Sequence, residues 1–157
     1  MALWQFDLFF VPAQAGLPTL EDAGWALPMV SERLVVEARS LLSSRIGAPW
    51  IMCEDISVFG IDTGNSIQFI PGLDGEAELL ARIDARAESV SFCRLLSELA
   101  SRIGCQFFSP ELRVSIEPKS DTLVDVLMRS RSWRYALDSA ATLRELADSG
   151  PDDAPQS

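Results

Sequence analysis

The sequence predicts an α+β protein in which an antiparallel sheet, built around a central three-strand meander, carries helices mainly on one face. Two observations lead to this prediction. Three apolar, alternating stretches follow one another between residues 56 and 84, with only short turns between them. Outside that region, apolar residues recur at helical spacing in several segments. A ferredoxin-like or related open sandwich is therefore the first choice of architecture.

The meander consists of the stretches ISVFGI, SIQFIP and EAELLARID. Residues 62–65 and 71–75 separate them, and both segments are rich in residues that tolerate turn conformations. The third stretch alternates, which predicts one core face and one mostly hydrated face. The predicted core face carries Ala77, Leu79, Ala81 and Ile83, and the other carries Glu76, Glu78, Leu80, Arg82 and Asp84.

A strand and an irregular segment precede the meander. Residues 3–11 alternate as a strand, and residues 12–30 contain prolines and glycines that break any long helix. Thr19 is expected to cap a single helical turn in that segment. Trp25 either packs the segment onto the core or serves as an anchor for a partner.

The remaining elements are helices and short strands. Helices are expected after Ser31, after Ser89 or Ser91, after Ser120, and, as a last short helix, after Asp138 or Ser139. Residues 105–108 and 114–118 are expected to be extended. Residues 1–148 form a single predicted α+β domain, and residues 149–157 a mobile polar tail.

The net charge favours some classes of binding partner over others. Lysine and arginine number 13 against 23 aspartate and glutamate residues, a net charge of −10. Such a field repels phosphate backbones, which disfavours nucleic acid, and attracts basic proteins. The alternative is that the acidic surface serves only solubility. The N-terminal stretch has neither a signal-peptide pattern nor a membrane-spanning length of apolar residues, so a cytoplasmic protein without a membrane partner is expected.

The chain offers few groups for catalysis or for binding a cofactor. It has no histidine, which excludes histidine-based nucleophilic catalysis, and its three cysteines are not spaced as a zinc site or a disulfide framework. Asp62, Asn65 and Asp74 are expected to be turn formers and not calcium ligands. We therefore predict no catalytic residue, no metal and no cofactor, and a protein that is not an enzyme.

An acidic rim beside a tryptophan is the predicted partner-binding site. In a three-stranded meander, residues 54–55 and 74–76 can lie at the same end of the sheet. The candidate site consists of Trp50, Glu54, Asp55, Asp74, Glu76 and Glu78. An aromatic anchor ringed by carboxylates suits a binder of basic proteins. The alternative is a solvated edge that is charged to prevent aggregation between strands.

In size, acidity and lack of catalytic groups, the chain resembles the small immunity proteins of interbacterial toxin systems. No motif carries this resemblance, so no residue role is transferred. The resemblance implies a cytoplasmic protein that binds and neutralises a cognate toxin, which in such systems is often a basic nuclease or another secreted effector. The alternative expectation is a structural or scaffold subunit that forms a homodimer through its sheet.

Overall fold

The computed structural model describes residues 2–138 and residue 147. Its elements, in chain order, are β1 (Gln5–Pro12), β2 (Thr19–Glu21), β3 (Gly24–Ala26), α1 (Glu32–Arg45), β4 (Trp50–Ile51), β5 (Ser57–Gly60), β6 (Ser66–Pro71), β7 (Ala77–Asp84), α2 (Val90–Arg102), β8 (Cys105–Ser109), β9 (Val114–Ile116), α3 (Ser120–Met128) and α4 (Arg131–Leu137). The protein is α+β, as the sequence predicts.

A seven-stranded antiparallel sheet forms the centre, with the strand order β4-β5-β6-β7-β1-β8-β9. The predicted meander is confirmed as β5, β6 and β7. Its register places Ser57 opposite Phe69 and Pro71 opposite Ala77. Strand β1 joins β7 to β8, so the N-terminal strand lies in the interior of the sheet. A separate small hairpin pairs β2 with β3.

Four of the five inner strands and two helices follow the chain order of a ferredoxin-like fold. Strand β1, helix α1, strands β6 and β7, helix α2 and strand β8 make a β-α-β-β-α-β unit with the spatial order β6-β7-β1-β8. Strands β4 and β5 extend this unit on one side, and β9 extends it on the other. The open sandwich expected from the sequence is thus present, with additional edge strands.

The helices cover one face of the sheet and make the main core with it. Side chains from α1, α2 and α3, including Leu42, Leu96 and Leu123, are fully buried in one cluster with residues of β1 and β5 to β8. The core face of β7 is as predicted, since Ala77, Leu79, Ala81 and Ile83 are 0–3% exposed. Period-two alternation in the strands and apolar stripes on the helices therefore meet in one layer of side chains.

The opposite face of the sheet is less hydrated than the sequence predicts. Leu80 and Asp84, both placed on the hydrated face, are only 5% and 7% exposed. Asp84 is buried because Arg86 pairs with it and Asn65 binds its backbone N–H. Leu80 lies in a cross-strand row with Gln68 and Phe9. The prediction of a wet face was wrong for these residues, because a row of neighbours shields them.

The sheet face opposite the main core carries a central charged pair, Arg82 and Asp7. Arg82 lies between Ser66 and Asp7 in the register, and its Nε is 3.2 Å from Asp7 Oδ1 without the alignment of a hydrogen bond. Burial raises the pKa of Asp7, although the Arg82 guanidinium acts in the opposite direction. The paired charges explain how two ionisable side chains are accommodated on a largely buried sheet face.

Three local predictions were wrong. Thr19 begins strand β2, not a helical turn, because the chain forms a hairpin in which Trp25 is half-buried with its ring 4.8 Å from that of Phe108. Ser120 is the first helical residue of α3, and Lys119 is its N-cap. The sequence analysis missed α4, whose N-cap Ser130 accepts a hydrogen bond from Trp133 N–H.

Two further predictions concern residues outside the described part of the chain. These are the last short helix after Asp138 or Ser139 and the tail at residues 149–157. Among the helices that are described, none has both the length and the apolar character needed to cross a membrane.

Candidate protein-binding surface

Two hairpin turns with the same hydrogen-bond pattern lie at one end of the sheet. In the turn between β4 and β5, Met52 N–H donates to Ile56 O and Ile56 N–H donates to Cys53 O, both at 2.9 Å. In the turn between β6 and β7, Gly72 N–H donates to Glu76 O at 2.9 Å and Glu76 N–H to Leu73 O at 3.0 Å. Glu54-Asp55 and Asp74-Gly75 therefore occupy equivalent central positions.

The two turns differ in how well their residues suit the backbone. All four central residues have positive φ, with 49° at Glu54, 66° at Asp55, 53° at Asp74 and 78° at Gly75. A turn with two such residues favours Asn-Gly or Asp-Gly, which the second turn has. The first has Glu-Asp instead, and a residue with a Cβ costs roughly 1–2 kcal/mol in this conformation. A strained carboxylate pair thus stands where a glycine would relieve the strain.

The sheet register brings the two turns close together. Ser57 lies opposite Phe69 and Pro71 opposite Ala77, so both turns project from the same end of β5, β6 and β7. The turn centres are separated by two strand spacings, which is about 10 Å. The second turn lies about two residues, or roughly 7 Å, further along the strand axis. The sequence-based expectation that residues 54–55 and 74–76 share one end of the sheet agrees with this geometry.

The carboxylates at these turns are solvated and unpaired. Glu54, Asp55, Asp74 and Glu76, which we call the acidic hairpin end, are all exposed. Within the described residues, none of these side chains forms an ion pair or a hydrogen bond with another side chain. Their charge is therefore not neutralised within the described part of the fold.

Glu32 and Glu78 flank the acidic hairpin end in different ways. A Cβ added at Gly75 would lie 2.7 Å from Glu32 Cδ, so the first turn of α1 brings another carboxyl group against the second turn. Glu78 is half-buried on β7, and burial raises the pKa of its carboxyl group. Glu78 therefore contributes less to the exposed surface than the sequence analysis assigned to it.

Exposed apolar side chains adjoin both turns, and the sequence analysis did not select them. Ile51 and Met52, which precede the first turn, are 61% and 36% exposed, and Leu73 in the second is 81% exposed. They could have been noticed as apolar residues directly beside turn residues, although exposure itself is not visible in a sequence. Exposed apolar area therefore lies beside unpaired carboxylates at both turns.

Trp50 is exposed but lies away from the turn tips. It pairs with Val58, and its indole N–H donates to Gly60 O at 3.0 Å, near the end of β5 that is remote from Asp55. The side chain is 39% exposed. Trp50 therefore flanks the β4 edge, and Ile51, Met52 and Leu73 are nearer in sequence to the carboxylates.

Other polar groups of the described chain do not form a reactive cluster. A cleft of about 410 Å³ between α2 and the start of α3 is lined by Ser97, Glu98, Ser101, Pro118, Lys119, Ser120 and Asp121. Burial raises the pKa of the Cys93 and Cys105 thiols to about 11, which keeps them protonated at neutral pH. Within the described residues, no group of three His, Cys, Asp or Glu side chains could hold a metal ion.

No protein-family model matches this chain, and no curated protein or solved structure is significantly similar to it.

Proposed function

We propose that this chain is a non-enzymatic protein-binding protein whose acidic hairpin end engages a basic protein partner. The observation that carries the proposal is the strained turn at Glu54 and Asp55, where two unpaired carboxylates occupy positions that favour asparagine and glycine. Strain of this kind persists where the residues serve a purpose other than stability. The most concrete form of the proposal is an immunity protein that blocks a cognate toxin.

Binding would proceed in two stages. The net charge of −10 and the unpaired carboxylates steer a basic partner toward this end of the sheet and raise the association rate. Ile51, Met52 and Leu73 then lose their exposed area against the partner, which slows dissociation. Occlusion of the partner's active site, not a chemical reaction, would neutralise a toxin.

The alternative is a homodimer formed through the sheet. Pairing two copies at the β4 edge would place the like-charged turns of the two chains near each other. This repulsion favours a foreign, basic partner over a second copy.

The direct test is calorimetric titration of the purified chain with the protein encoded by the neighbouring gene. We expect a complex of micromolar affinity or tighter, and a chain that is monomeric by light scattering before the partner is added. Failure to form a complex, or a stable homodimer in the absence of a partner, would contradict the proposal.

A matched pair of double variants tests whether the acidic hairpin end is the surface that binds the partner. The double variant Glu54→Gln/Asp55→Asn should lower the association rate by roughly tenfold at low salt, and the difference should shrink as salt rises. Glu21→Gln/Asp22→Asn makes the same change in charge at the exposed tip of the β2–β3 hairpin and is the control. Equal effects of the two double variants would place the interface elsewhere.

A further inference from the structure

The free edge of β4 has a backbone that is arranged to accept another strand. The sheet order ends at β4, so only β5 pairs with it. Met52 N–H donates to Ile56 O, which makes Met52 and Ile56 a hydrogen-bonded pair. Because such pairs alternate along an antiparallel ladder, the neighbouring pair of Ile51 and Ser57 is not hydrogen-bonded. The N–H and C=O groups of Ile51 therefore point away from β5, toward the free edge.

The side chains along this edge are unusually apolar for an exposed strand. Trp50, Ile51 and Met52 are 39%, 61% and 36% exposed. Natural edge strands are commonly protected by charged side chains, and this one has none within β4 itself. Pro49 precedes it and lacks an N–H, so the length over which a new strand could pair is short.

Charge decides which kind of strand suits this edge. Glu54 and Asp55 lie three and four residues beyond Ile51, which is about 10 Å along an extended chain. An added strand with an apolar residue at Ile51 would place the residue about three positions further along beside these carboxylates. Lysine or arginine at that position would be attracted, whereas a second copy of this acidic chain would be repelled.

The opposite edge of the sheet provides a contrast. Strand β9 is also free on one side, and Val114 is 41% exposed. Its flanking residues Glu111, Arg113, Glu117 and Lys119 are balanced in charge, and Lys119 pairs with Glu117 at 3.2 Å. A basic segment would therefore meet no net opposite charge beside β9, whereas it would meet Glu54 and Asp55 beside β4.

We propose that an extended, basic segment of the protein partner adds to the sheet at β4, with its backbone hydrogen-bonded to Ile51 and its cationic side chains beside Glu54 and Asp55. This inference rests on the proposed function and names the form in which the partner is recognised. Strand addition supplies affinity through main-chain hydrogen bonds, and side chains at alternate positions supply specificity.

The test uses a short synthetic peptide of alternating valine and lysine as the probe, added to the full chain. Amide NMR spectra and hydrogen exchange report where it binds. We expect the exchange of the Ile51 amide to slow at least about tenfold, with no slowing in β9. The same peptide with alternate backbone amides methylated keeps its charge but cannot pair along that edge, and should bind at least about tenfold more weakly.

A substitution in the protein makes the reciprocal test. Ile51→Pro removes the outward N–H at an edge position where proline is tolerated, and should weaken peptide binding about tenfold. Ile51→Val keeps the N–H and the apolar character, and should bind as the parent does. Circular dichroism of each variant checks that the fold is retained, and the methylated peptide tests the same hydrogen bonds on the unmodified chain.

Several outcomes would overturn strand addition. Equal binding of the methylated peptide, an unchanged Ile51 amide, or no binding of the peptide at millimolar concentration would each do so. These results are distinguishable from a failure of the proposed function. If the neighbouring gene product binds while Ile51→Pro has no effect on that complex, the protein-binding function stands and the strand-addition mode is wrong.

Discussion

The two ends of the sheet are built on different principles. At the end containing residues 61–65, side chains of neighbouring residues donate hydrogen bonds to the backbone carbonyls of the turn. Gln5 Nε2 donates to Asp62 O and Gly64 O at 2.8 and 2.9 Å, and Trp4 Nε1 donates to Thr63 O at 2.9 Å. At the acidic hairpin end, the turns are closed by backbone hydrogen bonds, and the carboxylates extend into solvent.

Arg86 adds further contacts at the end of the sheet containing residues 61–65. Its guanidinium pairs with Asp84, donates to Thr63 O at 3.0 Å and lies 3.9 Å from the centroid of the Trp4 ring. None of the ion pairs among the described residues involves a carboxylate of the acidic hairpin end. Backbone carbonyls at one end of the sheet are therefore bonded by side chains of the fold, and the carboxylates at the other end remain in solvent. The following substitutions test this difference, from the largest expected effect to the smallest.

Replacing one glycine by alanine at each end of the sheet should lower the free energy of unfolding by unequal amounts. Gly60 has a φ of 104°, and a Cβ there would collide with the backbone carbonyl of Asn65. We expect Gly60→Ala to lower the free energy of unfolding by more than about 3 kcal/mol. Gly75→Ala meets only the flexible side chain of Glu32 and should cost about 1–2 kcal/mol. Urea denaturation of both variants checks this, and equal losses would contradict the contrast.

Removing the Gln5 amide tests how much the stability of the sheet end containing residues 61–65 depends on side-chain hydrogen bonds. Gln5 is 4% exposed, and its Nε2 donates two hydrogen bonds to carbonyls of the 61–65 turn. Gln5→Ala leaves those carbonyls without a partner and should lower the free energy of unfolding by about 2–3 kcal/mol. Glu54→Gln is the matched change at the other end and should stay within about 0.5 kcal/mol of the parent. A larger loss from Glu54→Gln would show that the acidic end is structural.

Asp55→Gly should separate stability from binding. The φ of 66° at this position favours glycine, so relief of strain, reduced by the added freedom of the unfolded chain, should raise the free energy of unfolding by about 0.5 kcal/mol. Partner binding should fall because one carboxylate is lost. Asp22 is not among the residues with positive φ, so Asp22→Gly should lower stability and leave binding unchanged. Calorimetric titration and denaturation measure the two properties, and improved binding by Asp55→Gly would contradict the proposed surface.

The smallest effect concerns Glu78 and depends on pH. In the folded state, burial raises the pKa of the Glu78 carboxyl group above its ordinary value of 4.5. As pH rises, the unfolded chain therefore releases the Glu78 proton before the folded protein does. The carboxyl group therefore lowers stability progressively above about pH 4.5 and has no such effect below it. Glu78→Gln should have the higher melting temperature at pH 7, and the difference should shrink toward pH 4. A difference that is independent of pH would show that side-chain packing is the cause.

Much of the architecture was predictable because its causes are local. Residues 62–65 and 71–75 carry turn chemistry, and the alternation of 77–83 marks a core face, so the meander could be found without coordinates. The hairpin at Trp25 and helix α4 were missed because neither is specified by its own sequence alone. The hairpin is covered through Trp25 and Phe108, and Ser132 of α4 donates a hydrogen bond to Gln5 O, which is 127 residues away along the chain.

The candidate site was predicted in part for the same reason. Glu54, Asp55, Asp74 and Glu76 follow from two neighbouring turns, and antiparallel connectivity suffices to place them at one end. The exposure of Ile51, Met52 and Leu73 and the partial burial of Glu78 depend on what other segments cover. The sequence therefore indicated the charge of the surface and not its apolar part.

The sequence by itself determined the α+β class, the central meander, the main helices and the acidic character of the chain, because turn propensity, alternation and charge are properties of neighbouring residues. Only the tertiary structure decided the strand order, the placement of β1 inside the sheet and the outward direction of the Ile51 backbone. Those features are set by hydrogen bonds and contacts between residues distant in the chain, which no local pattern encodes.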